Sequence, residues 1–181
     1  MKATGIVRRI DNLGRIVIPK EIRKTLRIKE GEALEIFTDR EGEVILKKYS
    51  PIEELSSYAI QYAEALYQTI GHSVFITDTD QVIAASGMGK KEALRQGLTS
   101  GLEKLMQLRE QKMLRKGEKD YVDVYQEMTI SVESIILTPI IQEGNIIGSI
   151  VIAQKEGKET LGDVEKKLAL VGANYLGSQM H

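Results

Sequence analysis

The opening stretch of this chain packs four strand-like runs and one short helix pattern into about 48 residues, too few to bury a core securely alone. Residues 3–10 are rich in β-branched positions, and Asp11, Asn12, Leu13 and Gly14 follow as turn chemistry. Residues 15–18 form a second β-branched run. Pro19 opens a short helix, with Ile22 and Leu26 on one face at a spacing of four. Residues 34–38 and 43–47 read as a hairpin around Asp39, Arg40, Glu41 and Gly42. The order is therefore β-β-α-β-β. The chain has no cysteine to staple this unit. Oligomerisation is the remaining way to supply the missing core, and a dimer that interleaves its strands would do so.

A second segment begins where Ser50, Pro51 and Glu53 write helix-start chemistry: a cap, a first-turn proline and the far half of a capping box. The helix is expected to run to about Ile70 and stop at Gly71. Ile52, Leu55, Ala59, Tyr62 and Leu66 are spaced 3, 4, 3, 4. Such a seam suits pairing with the same helix of a second chain, or packing on its own domain; two heptads do not decide between them. Two strands are expected in residues 74–86, then a helix from Lys90 to about Arg115 with Leu94, Leu98, Leu102, Leu105 and Met113 on its apolar side. Strands follow at residues 121–125, 131–141 and 145–153, the last two joined by Glu143 and Gly144. Thr160 to Asp163 has capping-box form. It opens a final helix in which Leu161, Val164, Leu168, Val171 and Tyr175 repeat the same spacing. The C-terminal part therefore reads as α+β, a mainly antiparallel sheet flanked by helices. The expected division is 1–50, a linking or dimerisation helix at 51–72, and 73–181.

Charge separates the two parts. Residues 1–29 carry nine Lys or Arg against Asp11 and Glu21, a balance of +7, whereas the whole chain is −1. A basic end on an acidic partner domain suggests nucleic acid as the ligand of the basic end. No aromatic residue precedes Phe37. Single strands are usually held by stacking on aromatics, so duplex DNA is favoured. No run of apolar residues is long enough to span a membrane, and no signal-peptide core follows Met1. The lack of cysteine fits a reducing cytoplasm. His72 and His181 are the only imidazoles, so no metal or cofactor is expected.

The run from Thr4 to Leu26, with its core Leu13-Gly-Arg-Ile-Val-Ile-Pro19, closely resembles the AbrB-type transition-state regulators. The continuation through Gly31, residues 34–37, Gly42 and residues 44–49 fits the same pattern. The stretch Thr138-Pro-Ile-Ile, Gly144 and Ile147-Gly-Ser-Ile-Val-Ile is similar to the closing strands of GAF domains. An AbrB-type head on such a tail resembles transcription regulators of endospore-forming bacteria. The resemblance implies a swapped-hairpin dimer for the head and a GAF-like regulatory or oligomerisation domain behind it. It also implies a DNA-binding activator and repressor of sporulation genes.

Carried onto this chain, the resemblance places DNA contacts at Arg8, Arg15 and Arg23. Lys24 stands where the family often has a second arginine, and lysine lacks arginine's fork. Local geometry alone brings the turn-flanking Arg8 and Arg15 near each other, with Lys20, Arg23 and Lys24 on the helix that follows. Arginine reads guanine edges, and lysines neutralise phosphates. Arg9 and Lys2 complete the candidate set. Pairing through both halves of the chain would give a tetramer.

The C-terminal strands suit either a small-molecule effector pocket or a ligand-free dimerisation core. No catalytic set is apparent, so an enzyme is not expected. Ser86-Gly-Met-Gly-Lys-Lys91 lacks phosphate-loop spacing. His72, Ser73 and Asp78 make no triad that sequence supports, and Tyr58, Tyr62 and Tyr67 suit packing. The rival reading is a protein-interaction module of the same fold, antitoxin-like or an assembly adaptor, with incidental DNA binding.

Overall fold

The computed structural model describes residues 5–40, 42–49 and 56–179. Lys2, the helix-start residues Ser50 to Glu53, Leu55 and His181 lie outside them. The chain divides into two compact units, Met1–Tyr49 and Ser50–His181.

In the first unit, Asp11 organises the predicted turn. Its Oδ1 accepts the backbone N–H groups of Leu13 at 3.0 Å and Arg15 at 2.8 Å. Gly14 supplies the left-handed residue, at φ 75°. Helix α1 (Lys20–Thr25) starts one residue later than expected. Pro19 has the right φ, −57°, but its ψ of 148° keeps it in the cap position, where its carbonyl accepts Arg23 N–H at 3.0 Å. Strands β1 (Leu34–Thr38) and β2 (Val44–Lys48) pair antiparallel, Leu34 opposite Lys48 and Thr38 opposite Val44.

The two strands expected at the start of the chain are not formed. Residues 5–10 and 15–18 are joined by turn bonds, Asp11 N–H to Arg15 O and Gly14 N–H to Asp11 O, but carry no ladder beyond them. A strand exists only against a partner backbone, and these runs form no ladder with another described segment of the chain. Their apolar side chains are correspondingly open: Val7 is 85% exposed and Val17 73%.

The second unit is built on one antiparallel five-stranded sheet in the order β4-β3-β7-β6-β5. The strands are β3 (Ser73–Thr77), β4 (Val82–Ser86), β5 (Lys112–Arg115), β6 (Val132–Gln142) and β7 (Asn145–Lys155). Alternation along β6 and β7 feeds two cores. Ile136, Ile140, Ile150 and Ile152 pack with Ala59, Ala63 and Leu66 of helix α2 (Ser56–Ile70) and Ala169, Ala173 and Leu176 of helix α5 (Asp163–Ser178). Ile135, Leu137, Val151 and Ala153 pack on the other face with Phe75, Leu98, Leu102, Met106 and Tyr125. The α2 seam therefore packs on its own domain through Ala59, Tyr62 and Leu66. Gly71, at φ 70°, ends that helix as expected.

The single helix expected from Lys90 to Arg115 is instead two short helices and a strand: α3 (Lys90–Ala93), α4 (Ser100–Met106) and β5. Backbone pairing overrides the leucine spacing. Arg95 turns into the left-handed region at φ 64°, and its N–H bonds Val82 O at 2.8 Å while Leu98 N–H reaches Asp80 O at 2.7 Å. Thr99 then caps α4, accepting Leu102 N–H at 3.2 Å. A second left-handed residue, Arg109 at φ 59°, separates α4 from β5. Residues 121–125 form no strand, only the bridge between Leu98 and Tyr125. The capping box of α5 lies two residues beyond Thr160. There Gly162 N–H donates to Glu165 Oε2 at 2.7 Å, the half of a box that a glycine cap allows.

Candidate nucleic-acid interface

The basic residues of the first unit sit on three local devices. Arg8 belongs to the extended run before the turn and lines an apolar cleft of about 240 Å³ with Ile6, Ile16, Val17, Ile22 and Leu46. Its Nη1 is 3.5 Å from Val7 O. Arg9 is exposed. Arg15 leaves the turn with its side chain 71% exposed, and its Nε donates to Asp11 Oδ2 at 2.8 Å. Lys20, Arg23 and Lys24 lie on α1, where the last two are in the C-terminal turn that favours cations. Lys20 and Lys24 are exposed. Arg23 is half-buried, and its Nε is buried with no hydrogen-bond partner among the described residues. Lys2 lies outside those residues.

Asp11 is the residue that sequence reasoning missed, having entered it only as turn chemistry and a negative charge. The hydrogen bonds from the Arg15 backbone and then from its side chain hold the Asp11 carboxyl below its ordinary value. It therefore stays ionised as the fixed counter-charge of Arg15. The signal available in sequence was the Asx-turn spacing, an Asp two residues ahead of Leu13 and four ahead of Arg15.

The discounted positions of the second unit are occupied structurally. Ser73 Oγ accepts Met88 N–H at 3.0 Å, and Asp78 Oδ1 accepts Asp80 and Gln81 N–H, each at 2.7 Å. His72 is buried, with Nδ1 lacking a partner among the described residues. Tyr62 donates to Leu168 O at 2.8 Å, and Tyr58 and Tyr67 are exposed. The sheet face opposite α2 and α5 is filled by Phe75, Leu98, Leu102, Met106 and Tyr125, each at most 2% exposed.

Residues 54–181 match the family described as stage V sporulation protein T C-terminal, transcription factor. Over 180 residues the chain is 49% identical to stage V sporulation protein T of Bacillus subtilis (strain 168), covering 99% of both chains. The chain belongs to the stage V sporulation protein T family. The head is shared more widely than this family. Residues 7–54 match the family described as antidote-toxin recognition MazE, bacterial antitoxin. Fifty-one residues are 63% identical to the transition state regulatory protein AbrB of the same organism, covering 28% of this chain and 52% of that one. The second unit of this member of the stage V sporulation protein T family has a GAF-like fold. The GAF domain of Thermosynechococcus elongatus PixJ superposes at a TM-score of 0.52 with 12% identity, covering 73% of this chain and 90% of that one. At that identity the likeness speaks for the fold alone.

Proposed function

We propose that the chain is a cytoplasmic regulator of sporulation genes, activating some and repressing others, that grips duplex DNA through Arg8, Arg15, Arg23 and Lys24. Arg9, Lys20 and Lys2 add phosphate contacts around them. In this reading residues 1–50 bind DNA, 51–72 link, and 73–181 regulate and assemble. The observation that carries it is the near full-length likeness to a sporulation transcription factor, combined with a head whose Arg8 and Arg15 are exposed on either side of an Asp-braced turn.

The head works as an interleaved dimer. Ile6, Ile16, Val17, Ile22, Leu26 and Leu46 line an apolar cleft that a single chain leaves open. A second copy's hairpin is the occupant that also supplies strand partners for residues 5–10 and 15–18. The second units pair as well, through an apolar stripe on α5, where Val164 is 63% and Val171 61% exposed. Two distinct pairings give a tetramer, and several heads on one DNA gain avidity.

Effector binding is proposed for the second unit, near the buried Tyr125 hydroxyl that has no hydrogen-bond partner among the described residues. A hydrogen-bonding metabolite that raises the melting temperature of the full chain supports this, and loss of the rise in Tyr125→Phe assigns it to that hydroxyl.

The test of the main reading is fluorescence anisotropy of the full chain on one labelled duplex and on its separated strands. Tight duplex binding, weak single-strand binding and loss in Arg23→Ala are expected. Equal binding to both forms, or full retention in Arg23→Ala, contradicts the reading and favours the antitoxin-like or adaptor role.

A further inference from the structure

The two carboxylate oxygens of Asp11 do different things. Oδ1 accepts the backbone N–H groups of Leu13 and Arg15 and so builds the turn. Oδ2 accepts Nε of the Arg15 side chain at 2.8 Å and so aims the guanidinium. One residue thereby fixes both where Arg15 leaves the backbone and which way its planar end points. An ion pair this exposed contributes little to stability. Its consequence is geometric: with Nε occupied, the two terminal nitrogens remain as a forward-facing fork, the pair of donors that matches guanine O6 and N7.

We infer that Asp11 is a positioning residue that makes Arg15 a base-reading group rather than a loose phosphate-binding cation. Arginine side chains lose rotamer freedom on binding, and a brace set before contact removes part of that cost. The brace also sets a preference. A guanidinium held end-on rewards a guanine edge at one position, whereas an unbraced one swings to the nearest phosphate and carries no sequence information. The negative charge of Asp11 has a second effect on the same face. It weakens purely electrostatic binding to DNA of any sequence alike, so the ratio between preferred and arbitrary duplexes is left to the aimed fork.

This rests on the reading of Arg15 as a DNA contact, and the experiment separates the two. Full-length chains are compared on duplexes that the native chain enriches from a random pool and on the starting pool. Asp11→Asn is the informative substitution. Its carbonyl oxygen keeps the two turn bonds, while its amide replaces Oδ2 and cannot accept from Arg15 Nε. The enriched-to-random affinity ratio is expected to fall about five- to tenfold, with random-pool affinity equal or higher and melting temperature unchanged. In the Arg15→Ala background the same change is expected to have no further effect on the ratio, since the group it aims is gone. Arg15→Lys keeps the charge and loses brace and fork together, so its ratio should fall with the salt dependence preserved.

An Asp11→Asn chain with the native ratio overturns the inference. So does an equal loss in the Arg15→Ala background, or an Arg15→Lys chain that discriminates like the native one. If Arg15→Ala itself binds both pools like the native chain, the DNA reading of Arg15 fails, and with it this inference.

Discussion

Gly172 of α5 lies directly against the ring of Tyr62 on α2, so close that any Cβ at that position would overlap the ring. The ring has no easy retreat. Its hydroxyl is bonded to Leu168 O at 2.8 Å, and its face stacks on Tyr175 at a centroid distance of 6.3 Å. Gly172→Ala would gain about 1 kcal/mol of helix propensity. The forced overlap costs more, about 1–3 kcal/mol, and should win. Thermal melting should show a net loss of several degrees. Tyr62→Phe, which leaves the Leu168 carbonyl without that donor, should lose about 1 kcal/mol in urea unfolding. A stabilised Gly172→Ala would mean that α2 and α5 slide apart freely.

The apolar stripe of α5 offers a second prediction. Val171 is 61% exposed, on the side of α5 turned away from the core residues Ala169 and Ala173, so Val171→Glu should leave folding intact. It should halve the mass measured by light scattering if the second units pair there, converting a tetramer to a dimer. An unchanged mass would place that contact on another face.

The head makes the complementary case. Val17 is 73% exposed and lines the cleft. Val17→Asp puts a charge where a second copy's hairpin is proposed to sit, and burial of an unpaired charge there is prohibitive. Crosslinking between heads and DNA affinity should fall together. Native crosslinking in this variant would contradict interleaving.

A pH dependence follows from Tyr121. Burial, with the Asp123 carboxylate beside it, pushes its hydroxyl up to about 12 from an ordinary value of 10.0. The folded state therefore holds this proton more tightly than the unfolded state does. That preference is fully present below pH 10.0 and is lost as pH rises from there through about 12. Urea midpoints should decline across that window, and Tyr121→Phe should decline less steeply than the native chain. Parallel curves would remove Tyr121 from the account.

Much of this architecture was legible because local chemistry and final structure agree. Gly14, Gly42, Gly71 and Gly144 each take positive φ where a turn or helix end was expected. Residues 34–38 and 44–48 pair as the expected hairpin, the second strand one residue later than expected, and β6 and β7 meet at Glu143 and Gly144. The failures share one cause, pairing that sequence does not display. Leu94, Leu98 and Leu102 have helical spacing, yet the backbone of residues 95–98 bonds Val82 and Asp80, and Arg95 accepts a left-handed φ to reach them. Thr99 between two glycines was the clue to a new helix start. Residues 5–10 and 15–18 have strand composition but form no ladder among the described residues. In the head, the resemblance singled out the arginines, whereas the contact between Asp11 and Arg15 was not legible, because it depends on which oxygen meets which donor.

Duplex binding through the basic head can be measured as DNA affinity of the full chain as a function of salt, alongside Arg15→Ala and Arg23→Ala. A steep log–log slope, near −0.9 per phosphate neutralised, and a loss of roughly 1–3 kcal/mol in each variant are expected. A flat slope with native affinity in both variants would contradict it.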